Sequence, residues 1–270
     1  MRFGARAELD AAAKRRDILV GLAQGGLIAA LALAVLFFAF GDRFKARKPA
    51  LAGAPHAAAP APPPIIERRL DFGSVRAPSD VSRVAAWAVR EADNGIVPFA
   101  IVDKRRAQVY VFNPGGRLLG TSPVLLGYAA GDLSVAGIGQ KAIEDIKPQE
   151  RTTPAGRFVS EPGRNSLGHE VVWVDYGAAV SMHRVRATNP KERRLERLAT
   201  KTAADNRISW GCINVPVDFF DHTVWPQLGR GRAIVYVLPE RSPLTAFFPA
   251  AAAPQLLAQA GSRRGNSAKP

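Results

Sequence analysis

Ile208-Ser209-Trp210-Gly211-Cys212-Ile213-Asn214 holds the single cysteine of the 270-residue chain. A lone thiol cannot form an intramolecular disulfide, and in an exported protein an idle exposed thiol is a liability. The competing reading is a buried structural cysteine, because free cysteine is among the most buried residue types. The flanks favour chemistry. Small residues before the sulfur and Pro216 beyond it predict a turn that exposes the thiol. Gly211, with no side chain to obstruct, leaves room for backbone N–H groups to approach a substrate carbonyl.

A nucleophilic thiol also needs a base that converts it to thiolate. The chain has 4 histidines, at positions 56, 169, 183 and 222. His56 falls in an Ala/Pro-rich spacer. His169 follows Leu167-Gly168 and reads as a turn residue, and His222 follows Phe219-Phe220-Asp221 and reads as packing on a helix. His183 ends a predicted strand, Ala179 to His183, where a second strand end can bring the cysteine alongside. His183 is therefore the expected base.

Around this pair the sequence reads as a mainly β domain. Short β-rich runs are predicted at 99–102, 108–112, 123–126, 156–160, 170–174, 179–183 and 233–238, separated by turn signals such as Asn113-Pro114-Gly115-Gly116. One helix is expected from an N-cap at Ser79 to Asn94-Gly95. Lys191 to Ala204 reads as a helical insertion, and Val217 to Leu228 as a short helix with Phe219, Phe220, Val224 and Trp225 facing the core. Beyond Arg241 the chain is rich in Ala, Pro and Gln and is expected to be disordered, apart from a short helix around Leu256.

Ahead of the domain, residues 18–40 form 23 consecutive uncharged, mostly apolar positions. At helical rise this spans roughly 34 Å, enough for a bilayer core, and it exceeds the apolar stretch of a cleaved signal peptide. An uncleaved, single-pass signal anchor is expected in a cell inner membrane, with residues 1–17 cytoplasmic. Residues 41–76 then act as a spacer and the domain faces the periplasm. The formal charge of +14 suits anionic neighbours such as phospholipid headgroups or acidic wall polymers. Nucleic acid is disfavoured, since no helix-turn-helix or aromatic RNA-binding pattern accompanies the charge.

The strand-end His183 with the downstream Ser209-x-Gly211-Cys212-Ile213-Asn214 resembles the signature of the L,D-transpeptidases, the YkuD-type catalytic domain. Phe99-Ala100-Ile101-Val102-Asp103 with Gln108-Val109-Tyr110-Val111-Phe112 resembles the family's opening hairpin, and Pro123-Val124-Leu125-Leu126-Gly127 its next strand. Thr152-Thr153-Pro154-Ala155-Gly156-Arg157-Phe158 resembles its Thr-Pro-x-Gly-x-Phe turn. The resemblance implies a β-sandwich catalytic domain at 98–240, preceded by a helical lead-in at 77–97. It implies Cys212 as nucleophile, His183 as general base, and Ser209, Trp210, Gly211 and Asn214 as the oxyanion and substrate loop. It further implies peptidoglycan tetrapeptide stems as substrates, release of D-Ala, transfer of the acyl group to an amine, sensitivity to carbapenems, and no metal or organic cofactor.

Two departures stand out. Trp210 occupies a position where most members of the family carry histidine; tryptophan cannot carry a proton but can wall the pocket. The 25 residues from Arg184 to Ile208 exceed the family's usual interval and include the basic Lys191-Glu192-Arg193-Arg194-Leu195-Glu196-Arg197, which reads as a lid, a contact for acidic stems or a solvated helix. Two other functions fit the same residues: an L,D-carboxypeptidase that passes the thioester to water, and a non-catalytic, membrane-tethered wall-binding protein.

Overall fold

The computed structural model describes residues 66–252. The expected membrane span at 18–40, the cytoplasmic 1–17, most of the spacer and the helix around Leu256 lie outside the described residues. Among the described residues no helix is long and apolar enough to cross a membrane.

The β content is organised as one folded sheet. Strands β1 (Phe99–Asp103), β2 (Gln108–Phe112), β3 (Leu118–Pro123), β5 (Gly156–Arg164), β6 (Glu170–Asp175), β7 (Val180–Arg184), β9 (Ile213–Val215) and β10 (Ala233–Leu238) pair in the order β3-β2-β1-β10-β5-β6-β7-β9. A separate parallel pair joins β4 (Leu126–Gly127) to β8 (Arg207–Ser209). The long β5 is the corner. Its first half pairs with β10, from Gly156 opposite Val237 to Ser160 opposite Ala233, and its second half pairs with β6, from Glu161 opposite Trp173 to Arg164 opposite Glu170. Strands that switch partners in this way make the corners of sandwiches. The chain leaving β3 then crosses to the far edge, where Leu125 exchanges backbone hydrogen bonds of 2.8 and 2.9 Å with Asn214 of β9.

The folded sheet encloses a core of Ala100, Val102, Val109 and Val111 from one half and Val172, Met182, Ile213 and Val215 from the other. Its other face is covered too. Helix α1 (Ser79–Arg90) buries Val81, Val84, Ala85, Ala88 and Val89, the 3–4 spacing of one helical face, against Phe99, Ile101, Tyr110, Phe112, Ile234 and Tyr236. Because β1 and β10 are buried on both faces, they read as unbroken apolar runs rather than alternating ones.

Several boundaries differ from the sequence reading. Residues 66–76, assigned to the spacer, belong to the packed body: Leu70, Phe72 and Val75 pack on the α1 layer, and Asp71 bridges Arg117. The tail expected to be disordered from Arg241 is ordered to Ala252, with Leu244, Phe248, Ala251 and Ala252 buried in the same layer. Ser79 is the first helical residue rather than the cap, a place held by Pro78. The helix or helical loop expected at 191–204 runs as three short pieces, Pro190–Glu192, α2 (Arg194–Ala199) and Ala203–Asn206, the first two separated by Arg193 at a left-handed φ of 50° and α2 ended by an extended Thr200. Residues 217–228 are helical (α3), with a π-helical turn at Phe220–Val224 just ahead of Pro226, which cannot donate the backbone hydrogen bond of a regular α-turn.

A buried ionic cluster ties the segment after β4 to the end of the fold. Lys104 is fully buried, with Nζ 3.0 Å from Asp132 Oδ1 and 2.9 Å from the Thr153 carbonyl. Asp132 also accepts from the backbone of Glu240, Arg241 and Ser242 at 2.7, 3.0 and 2.6 Å. Burial raises the Asp132 carboxyl, but these backbone bonds and Lys104 outweigh it and hold the group far below its ordinary range.

Candidate active site

Strand register assembles the site. β7 and β9 run parallel, with Met182 beside Ile213 and His183 beside Asn214. Side chains alternate between faces, so Met182 and Ile213 enter the core while Ser181, His183, Cys212 and Asn214 fall on the other face. The Cys212 sulfur lies 3.7 Å from Ser181 Oγ and 3.7 Å from the Ala179 carbonyl.

The turn before the cysteine is held from below. Gly211 has φ +128°, and a Cβ there would stand 2.9 Å from the Thr152 carbonyl, so both backbone and space require glycine. The fully buried Thr153 donates its hydroxyl to the Gly211 carbonyl at 2.7 Å and accepts from the Gly127 N–H at 2.9 Å. Ser209 Oγ donates to the Cys212 carbonyl at 2.6 Å and accepts from the Gly211 N–H at 3.1 Å. This corrects one expectation: the Gly211 N–H is engaged by Ser209 and is not a free donor. Ser209 and Gly211 shape the loop.

His183 is oriented by its own strand. Nδ1 lies 2.7 Å from the Arg184 carbonyl, which only accepts, so Nδ1 carries the proton and Nε2 is the basic nitrogen. Asn214 Nδ2 sits 3.3 Å from Nε2. The Asn214 amide is fixed in turn by Arg194, whose Nη1 donates to Oδ1 at 2.5 Å; a guanidinium only donates, so the amide must present its NH2 to the imidazole. Burial pushes the Cys212 thiol up. The neighbouring His183 imidazole and the Ser181 backbone and hydroxyl outweigh it and bring the thiol below its ordinary value.

These side chains open into a cavity of about 530 Å³ lined by Ile138, Trp210, Cys212, His183, Asn214 and Arg186, among others. Gly139 brings one wall close, since a Cβ there would meet the Gly177 carbonyl at 2.4 Å. Trp210 forms another wall, backed by the Arg151 guanidinium 3.4 Å from its ring centroid. A second cavity of about 190 Å³ shares His183 and also touches His169. His169 lies at the β5–β6 turn, where its N–H donates to Asn165 Oδ1 at 3.0 Å. His222 is on α3, its Nδ1 2.9 Å from the Asp218 carbonyl, and lines neither cavity. Among the described residues no three His, Cys, Asp or Glu side chains are grouped as metal ligands.

The structure thus brings Cys212, His183, Ser209, Trp210, Gly211 and Asn214 into one place. Sequence reasoning missed Ser181, Thr153 and Arg194. Alternation from His183 on its own strand identifies Ser181, whereas nothing local marks Thr153 or Arg194, which reach the site across the fold.

No protein-family model matches the chain, and no curated protein matches it. Solved structures do. The chain is similar to an L,D-transpeptidase from Mycobacterium smegmatis at 15% identity, covering 52% of this chain and 58% of that one, with a TM-score of 0.33. It is similar to the catalytic domain of the Enterococcus faecium L,D-transpeptidase at 15% identity, covering 53% and 98%, with a TM-score of 0.31. It is also similar to the helical cell shape determining protein Pgp2 from Campylobacter jejuni at 16% identity, covering 61% and 57%, with a TM-score of 0.36. The chain spans about half the length of the larger structures it matches, 49% and 50% in two cases. L,D-transpeptidases recur among the solved structures similar to this chain.

Proposed function

We propose that the protein is a peptidoglycan L,D-transpeptidase working through a Cys212 thioester. The observation that carries this reading is geometric: the Cys212 sulfur and the His183 imidazole line one cavity of about 530 Å³, with Ser181 Oγ 3.7 Å from the sulfur and the surroundings holding the thiol below its ordinary value despite burial. The substrate class rests on the sequence resemblance of the His183 and Ser209-x-Gly211-Cys212 segments.

In this mechanism the Cys212 sulfur attacks the carbonyl between diaminopimelate and the terminal D-Ala of a tetrapeptide stem, while His183 Nε2 takes the thiol proton. The Cys212 backbone N–H, which has no partner among the described residues, donates to the developing oxyanion. Collapse breaks the peptide bond, the imidazolium returns the proton to the D-Ala amine, and the stem remains as a thioester. An amine acceptor then attacks, His183 takes its proton, and the sulfur leaves. Trp210 excludes water. We place the acceptor in the second cavity, which also borders His183. Residues 18–40 would anchor the chain in the inner membrane and hold this domain in the periplasm.

The test is incubation of the full chain with a diaminopimelate tetrapeptide. The proposal predicts D-Ala release and a cross-linked dimer product, both absent in Cys212→Ala. Folded protein that releases no D-Ala would overturn it, and tripeptide without dimer would replace transfer by hydrolysis.

A further inference from the structure

Arg186 stands two residues beyond β7, half-buried, and lines both cavities that meet at His183. The other charged groups on these walls are neutralised. Arg184 bonds Glu170 at 2.8 Å and Asp221 at 2.6 Å. Arg194 is paired with Glu192 at 2.5 Å, and Lys141 with Glu150 at 2.7 Å. Arg186 has no hydrogen bond or ion pair among the described residues. A guanidinium presents five N–H donors in a planar fork suited to a carboxylate. Here the fork is left open in the cavity that also holds the proposed nucleophile and whose other walls include Ile138, Ile143, Ile146 and Trp210. The bland alternative is a hydrated arginine at a cavity rim; the position at the junction of both cavities, with every neighbouring charge already paired, argues against it.

We infer that Arg186 is a carboxylate anchor, binding a free carboxylate of the peptide that enters the Cys212 cavity. The peptide identity rests on the proposed transpeptidase reading; the anion selectivity of the cavity does not. Two carboxylates qualify, that of the terminal D-Ala and that of a diaminopimelate, and the chemistry of recognition is the same for both.

The experiment has two arms on the full chain. The first compares alkylation of Cys212 by iodoacetate and iodoacetamide, which share a reaction and differ by a carboxylate, with their rate ratio as readout. Arg186→Gln should lower the iodoacetate/iodoacetamide ratio by about tenfold, the scale of one charge-assisted interaction, and Arg186→Lys should recover part of it. An unchanged ratio would overturn the inference. A thiol unreactive to both reagents would overturn the anchor and the nucleophile together. The second arm measures KM and kcat for the tetrapeptide and for analogues amidated at D-Ala or at diaminopimelate. Arg186→Gln should raise KM by about tenfold for the free acid, and the analogue for which this penalty disappears identifies the carboxylate. Equal penalties on all three peptides would contradict anchoring. A wild-type chain that releases no D-Ala sinks the transpeptidase reading, while the alkylation ratio still decides the role of Arg186.

Discussion

At the scale of single residues, Cys212 and His183 line the same cavity. Burial alone would raise the thiol, and His183 with Ser181 brings it down. The alkylation rate of Cys212 should therefore rise with a midpoint below the about 8.5 of a free thiol. His183→Ala leaves burial less opposed, so the midpoint should move up and the neutral-pH rate fall; an unchanged profile would name another base. Gly211→Ala places a side chain at φ +128°, with its Cβ 2.9 Å from the Thr152 carbonyl. It should cost about 1–3 kcal/mol and slow alkylation, read by thermal melting and intact mass. Cys212, His183 and the tight glycine turn were legible in the sequence because each is marked by residue type and position. Thr153 was quoted there only as part of a turn; its grip on the Gly211 carbonyl, 58 positions away, is a product of the fold. Arg194 likewise looked like one charge in a basic run, yet it fixes the Asn214 amide.

At the scale of elements, the strands with strong β-branched or aromatic content, β1, β2, β6 and β10, were legible from pattern alone. β8 and β9, three residues each, were not, because runs this short show no period. β3 was missed up to Ser122 because Leu-Leu-Gly-Thr-Ser resembles a turn, and its order comes from pairing with β2. The buried Lys104–Asp132 cluster gives the loop after β4 its anchorage. Asp132→Asn would leave Lys104 without its nearest carboxylate and should cost about 3 kcal/mol, seen as a lower urea midpoint. The pH dependence has a definite sign. The folded carboxyl is depressed, so its stabilisation is full above the unfolded value of about 3.9 and is lost as pH falls below it. Wild type should lose stability faster than Asp132→Asn on acidification below about pH 4.

At the scale of the whole molecule, the sheet closes only when Leu125 meets Asn214 and β10 returns to pair in parallel with β1. Such contacts join distant parts of the chain, so the mainly β class was legible while the corner at β5 was not. The ends of the domain were misjudged because α1 and the segment to Ala252 form one apolar layer with Tyr236, and Phe248 meets that ring edge-on at 6.2 Å between centroids. Phe248→Ala should therefore cost about 3–5 kcal/mol, measured by denaturant unfolding, whereas a disordered tail would show no change. The central claim, that Cys212 is an acyl-accepting nucleophile, is tested most directly by intact mass of the full chain incubated with a carbapenem, followed by peptide mapping. A single covalent adduct is expected on the Cys212 peptide, absent from Cys212→Ala and slowed in His183→Ala; an unmodified, folded chain would rule out a nucleophilic Cys212.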